Sequence, residues 1–328
     1  MRVRYRLPLL GALRLEFSFP VRTALFTYTF EVDENGVVTH IDATASVPDR
    51  SLWPRVTPTP QPGIKAHIEL TSPFFSVLRR DMNAASGMLA LFGVDDISLE
   101  EVEEFWEPDS PEEKEALALF SFKRSREATP SSEWPRLPLD LVARALIVAE
   151  RAIGFEPALN FFRKGKLDVK AEQYIDAVLD FLFMVETTYA NGKFRTAQVE
   201  EEYLASTELR RLIEEALREP GLLANVRGHS RIESAFRQTY LGKSSEQIIR
   251  YLVKLRGELH HHSARRSGIW HPTDQIRFGA DAFFLQQLCF GIAFAIANPT
   301  LFGIDAERSY QTQAHSNASA GALKVYRK

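Results

Sequence analysis

The chain has 328 residues, 45% hydrophobic and 25% charged, with a formal net charge of −3 at pH 7. These values exclude a globally disordered chain and a low-complexity fibre, and the length exceeds the ~100–200 residues of a usual domain, so two structural units are expected. The only cysteine, Cys289, excludes a disulfide framework and a thiolate zinc cage and fits a reducing cytoplasm.

The first ~60 residues read as strands. The opening "MRVRYRLPLLGALRLEFSFP" lacks a small-residue cleavage pattern, and Arg14 and Glu16 interrupt its apolar run, so it is not read as a signal peptide. "TALFTYTFEVDENGVVTHIDATASV" alternates on either side of Asn35-Gly36, a dipeptide suited to the positive φ of a hairpin turn. Prolines 54, 58, 60 and 62 break regular structure, and "IKAHIEL" resumes a β-like run.

From Pro73 the period becomes helical. Phe75, Leu78, Met82 and Met88 recur at helical spacing, and Gly93 marks the stop. "SLEEVEEFWEPDSPEEKEALALF" is expected to form two short helices separated by Pro108 and Pro111, with solvated acidic faces. Residues ~123–138, rich in Pro, Ser and mixed charge, are the expected linker.

The remainder reads as helices. "LDLVARALIVAERAIG" is one; "DVKAEQYIDAVLDFLFMVETTYANG" is another, with Asp168 as N-cap and Asn191-Gly192 as stop. "STELRRLIEEALREPG" is capped by Ser206, "SSEQIIRYLVKLRGELHH" follows, and a helix from Thr273 to Ala297 closes the series. Residues 282–304 carry no charge, but Gln286, Gln287 and Asn298-Pro299 favour a buried core helix over a membrane span. The expected organisation is α+β: a β-rich domain at 1–72, an acidic connector at 73–137, a helical domain at 138–305 and a mobile tail at 306–328.

Charge is unevenly distributed. Residues 95–115 hold eleven acids and one lysine, a net of −10, whereas 227–277 hold ten Arg/Lys and four Asp/Glu, a net of +6. Such a basic stretch attracts phosphates whatever the overall balance. Within it, "NVRGHSRIESAFRQTY" interleaves cations with Phe236 and Tyr240, which suits either an RNA-contacting surface or a solvated loop and short helix. Arg227, Arg231, Arg265 and Arg266 are the candidate RNA contacts.

"LVKLRGELHHHSARR" carries the densest chemistry. Successive helical residues turn by ~100°, so His260, His261 and His262 point three ways and form no common chelate; no metal and no cofactor is expected. Gly-x-x-x-x-Gly-Lys-Ser/Thr, Gly-x-Gly-x-x-Gly and Gly-x-Ser-x-Gly runs are absent from the sequence, and Cys289 lies in its most apolar segment, where a thiolate is disfavoured. Ile248, Leu252, Leu255 and Leu259 form an apolar stripe with Arg256 at its edge. A histidine titrating near neutrality beside a fixed arginine suits phosphodiester cleavage through a ribose 2′-OH. Glu186 falls on the apolar face of its helix, where a lone charge is costly, and needs Arg256 or a histidine as partner.

"LRGELHH" resembles the signature of HEPN-domain proteins, helical toxins, antiphage effectors and RNA-processing enzymes: an arginine, usually a polar residue, three more residues and a histidine, often with Leu or Ile two before it. The match falls on Arg256, Leu259 and His261, with His262 at a longer spacing; Gly257 stands where the family usually has Asn, Asp or His. The resemblance implies a metal-independent endoribonuclease acting in a toxin or antiphage role, with Arg256, His261 and His262 as site residues, to which the apolar helix face beneath Glu186 adds that carboxylate, orienting Arg256. It implies a homodimer whose two Arg/His pairs form one cleft, packed through the helix around Phe283, Phe284, Leu288 and Phe294. The alternative it leaves is a non-catalytic module that binds nucleic acid or protein. "FLFMVETTYANGKF" also resembles helical proteins of the methylamine-utilisation MauJ group. No membrane partner is expected.

Overall fold

A computed structural model describes residues 1–58, 66–69, 72–99, 101–117, 119–124, 137–219, 222, 230–260 and 270–325. The fold is α+β, an antiparallel sheet in the N-terminal region followed by a helical region. The chain divides into two compact units, Met1–Ile153 with Thr300–Lys328, and Gly154–Pro299. The helical unit thus begins at 154 rather than 138 and ends at 299.

In the first unit, β1 (Arg2–Arg14) is the central strand. It pairs on one side with β5 (Val37–Ser46), which continues to β4 (Thr27–Val32) and β3 (Val21–Arg22). On the other side it pairs with β9 (Val102–Glu107) and through it β10 (Ser121–Arg124). Between Pro8 and Leu13 the β1–β5 register slips, and there Leu9 and Leu10 pair instead with β8 (Asp96–Ile97). Small ladders join β2 (Phe17–Ser18) to β11 (Lys324–Val325) and β6 (Arg55–Pro58) to β7 (Ala66–Glu69). The hairpin turn forms as expected: Gly36 adopts φ 77°, and Asp33 Oδ1 accepts from the amides of Asn35 and Val37.

Alternation splits the sheet into two faces. Val3, Tyr5, Leu7, Tyr28 and Phe30 are buried. On the opposite face of β1, Arg4 and Arg6 both hold the buried carboxylate of Asp42 at 2.8–3.1 Å, with the Arg4 guanidinium 4.3 Å from the centroid of Phe105. Helices α1 (Phe75–Leu89) and α3 (Leu139–Ala149) belong to this unit, as does the short α2 (Pro111–Ala116), whose N-cap Ser110 accepts from Glu113.

The acidic segment departs from expectation. Val102–Glu107 is a strand, because Val102, Glu104 and Trp106 turn inward at period two. Glu104 is buried rather than solvated; Ser72 Oγ and Trp106 Nε1 donate to it at 2.7 and 3.0 Å. Most of the expected linker lies outside the described residues, and Ser121–Arg124 at its start is β10.

The second unit holds α4 (Glu156–Lys170), α5 (Tyr174–Tyr189), α6 (Thr196–Ala205), α7 (Thr207–Arg218), α8 (Ser230–Thr239), α9 (Ser245–His260) and most of α10 (Gly279–Leu301). Asp168 lies inside α4 and does not cap α5; Glu172, at φ 57°, breaks the chain between the two. The expected ends hold elsewhere: Asn191 and Gly192 take φ 48° and 74° after α5, and Ser206 Oγ accepts from Leu209 at 3.1 Å. α4 and α5 approach closely at Gly165, where an added Cβ would stand 2.6 Å from the Phe181 ring. Phe236 and Tyr240 are internal, Tyr240 stacking on Phe284 at 4.1 Å, so neither is available to stack on RNA.

α10 is long and apolar enough to cross a membrane by length and composition alone. Phe284, Leu288 and Cys289 are fully buried, and burial pushes the Cys289 thiol well up. Phe284 and Leu288 therefore belong to the core and not to the exposed stripe, where Phe290 and Phe294 stack 6.5 Å apart. Pro299 sits inside the helix instead of ending it: so near the C-terminus it disturbs few backbone bonds.

The expected mobile tail contains α11 (Ile304–Ser319), in the same unit as the sheet. Glu307 pairs with Arg144 of α3, Tyr310 meets Phe19 at 5.8 Å, and the Gln313 side chain exchanges two 2.8 Å hydrogen bonds with the backbone of Arg22.

Candidate functional site

The apolar stripe of α9 determines where Arg256 points. Ile248, Leu252, Leu255 and Leu259 are all buried, and Arg256, 40° from Leu252 around the helix, goes inward with them and is only 9% exposed. On α5, Leu182 and Val185 are buried on either side of the position from which Glu186 reaches out. Arg256 Nε and Nη2 donate to Glu186 Oε2 and Oε1 at 2.6 and 2.8 Å. The match of fork to carboxylate is bidentate, the strongest form of this pair, and it fixes the plane of the guanidinium. Donation to the Glu186 carboxylate outweighs burial and raises the pKa of Arg256, which stays a cation. Among the described residues Nη1 of Arg256 has no hydrogen-bond partner.

Tyr203 of α6 completes the buried surroundings. Its hydroxyl has no hydrogen-bond partner among the described residues. Burial raises its pKa first, the negative charge of Glu186 raises it further, and Arg256 opposes both.

The pair borders an open groove of about 340 Å³ lined by Phe161, Phe183, Glu186, Thr187, Ala190, Gly192, Lys193 and Phe194. Phe161 and Phe183 stand 5.4 Å apart, and the His260 ring meets Phe183 edge-on at 5.3 Å. One continuous strip therefore offers a cation fixed by a carboxylate, an imidazole against an aromatic ring, and a cleft with aromatic walls.

Of the residues expected at a site, the structure joins Glu186 to Arg256; His260, which was not among them, meets Phe183 of the groove. Arg231 lies on α8, exposed and without an ion pair among the described residues. His261, His262, Arg227, Arg265 and Arg266 lie outside the described residues. Among the described residues no cluster of three or more His, Cys, Asp or Glu has the arrangement to hold a metal ion. Sequence reasoning missed the groove: Phe161 is on α4, a helix not anticipated, and Phe194 carries its signal only as an aromatic residue between Lys193 and Arg195 in a polar loop. No family model, curated protein or solved structure matches the chain.

Proposed function

We propose that the chain is a metal-independent endoribonuclease of HEPN type, working as a cytoplasmic homodimer in a toxin or antiphage role. The observation that supports this reading is the bidentate Glu186–Arg256 pair, which orients an arginine five residues before His261 and beside an open groove.

In this reading His261 takes the proton of a ribose 2′-OH, and O2′ attacks the adjacent phosphorus. The P–O5′ bond breaks, and a histidine, His261 or its counterpart on the second copy, protonates the leaving 5′-oxygen. The products are a 2′,3′-cyclic phosphate and a 5′-hydroxyl. Arg256 faces the charge that builds on the phosphorane, offering Nη1 while Glu186 holds Nε and Nη2. Glu186 is a positioning residue, His262 a second acid/base, and Arg227, Arg231, Arg265 and Arg266 hold the RNA backbone.

The experiment is incubation of purified chain with mixed RNAs in EDTA. Cleavage that persists in chelator, leaves a 2′,3′-cyclic phosphate and vanishes in both Arg256→Ala and His261→Ala supports the enzyme. Absence of cleavage with retained RNA binding supports the second reading, a non-catalytic binding module, including one of MauJ type. Gly257 favours that second reading, because it provides no side chain where the resembled family carries a polar one.

A further inference from the structure

The loop after α5 presents an aromatic ring to water between two cations. Asn191 and Gly192 turn the chain in left-handed conformations, Lys193 N–H donates to Ala190 O at 2.8 Å, and Asn191 Nδ2 donates to Glu202 Oε2 at 2.7 Å. So anchored, the loop holds Phe194 71% exposed, with Lys193 and Arg195 on either side of it in sequence and also exposed. Neither cation has an ion-pair partner among the described residues, although Glu200, Glu201 and Glu202 follow in the next helix; Glu200 pairs with Arg250. Phe194 and Lys193 line the same groove as Phe161, Phe183, Thr187 and Glu186.

Three rings in the groove, with Lys193 lining it and Arg195 two positions on in sequence, both without an ion-pair partner among the described residues, complement a flat heteroaromatic ring that carries negative charge on both sides. An apolar peptide side chain would use the walls without engaging Lys193 and Arg195, which are exposed to water. A base within a strand uses both, since bases stack on aromatic side chains and the flanking phosphates take the cations. Glu186 lines the groove and holds Arg256, so a base seated there lies next to that pair.

We propose that this groove seats one unpaired base of an RNA strand, stacked on Phe194, with Lys193 and Arg195 on the adjoining phosphates. The proposal rests on the ribonuclease reading for its choice of RNA. Phe194 acts in binding and is not a catalytic residue.

The test uses a 2′-O-methyl RNA octamer, which cannot be cleaved through O2′, and a matched octamer with abasic positions. Fluorescence anisotropy measures both against wild type, Phe194→Ala, Phe194→Trp and the double variant Lys193→Ala/Arg195→Ala. Phe194→Ala is expected to weaken the base-bearing octamer roughly 5- to 150-fold, to leave the abasic octamer unchanged, and to be rescued by Phe194→Trp. The double variant weakens both octamers and reduces the salt dependence by roughly 1.4 in the log–log slope. Equal binding of the base-bearing octamer by wild type and Phe194→Ala overturns the proposal, as does a wild type that binds neither octamer. Binding that depends on Phe194 in a chain that never cleaves RNA refutes the nuclease and leaves the base site standing. Cleavage accompanied by binding that ignores Phe194 does the reverse.

Discussion

Removal of one charge from the Glu186–Arg256 pair should cost more than removal of both together. The side chains are 22% and 11% exposed, and two hydrogen bonds of 2.6 and 2.8 Å join them. Two unit charges ~4 Å apart attract by roughly 4 kcal/mol at an effective dielectric of ~20. Loss of one partner from a buried pair typically costs about 3–5 kcal/mol, because the remaining charge keeps its desolvation penalty. Partial exposure of Glu186 lowers that, so we expect about 2–4 kcal/mol each for Glu186→Met and Arg256→Met. The double variant should cost under about 2 kcal/mol, since methionines fill similar volume without a buried charge. A double-mutant cycle in urea, monitored on the helical unit, gives the coupling, expected at about 1.5 kcal/mol or more and nearly unchanged by added salt. Single-variant costs that sum to the double within about 0.5 kcal/mol would show that the two side chains do not depend on each other, and the positioning role of Glu186 would fall with that result.

Other consequences follow from neighbouring residues. Gly257 lies in the last described turn of α9 with nothing within 4 Å of an added Cβ, so Gly257→Ala should raise stability by up to about 1 kcal/mol; a loss on thermal unfolding would mean that the space beside Gly257 is filled. Tyr203→Phe removes a buried hydroxyl that has no partner among the described residues, and should be neutral or stabilising by up to about 1 kcal/mol; destabilisation beyond that would reveal a hydrogen bond outside them. The Asp180 carboxyl is pushed up to about 6 by burial, with a 2.6 Å hydrogen bond from Lys164 opposing and Asp168 reinforcing the shift. Its native state binds a proton more tightly than the unfolded chain, so its contribution is full below pH ~4 and is lost as pH rises through about 6, on the order of 2–3 kcal/mol. Asp180→Asn should flatten that part of the pH profile; an identical slope for variant and wild type between pH 4 and 6.5 rejects the assignment.

Several features were legible because they are set by local sterics. Asn35-Gly36 and Asn191-Gly192 mark turns since their backbones tolerate positive φ, which most residues resist, and Ser206 caps α7 with its own hydroxyl. The period of Ile248, Leu252, Leu255 and Leu259 was enough to place Arg256 against the core, and a carboxylate on the apolar face of α5 implied a cationic partner before any contact was visible. Those inferences need only helical geometry and the cost of a buried charge.

Tertiary structure decided the rest. "LEEVEEFWE" has charges that suit a helix, yet it becomes β9 because β1, about a hundred residues away in sequence, supplies its ladder and a place for Trp106. Glu104 is buried because Ser72 and Trp106 reach it, a combination no local window contains. The polar stretch after Asp305 becomes α11 because Arg144, Phe19 and Arg22 meet its side chains. The groove likewise exists only where α4, α5 and the loop at Phe194 converge. Turn chemistry and periodicity are properties of a few consecutive residues, whereas burial and pocket formation depend on which distant surface arrives to exclude water.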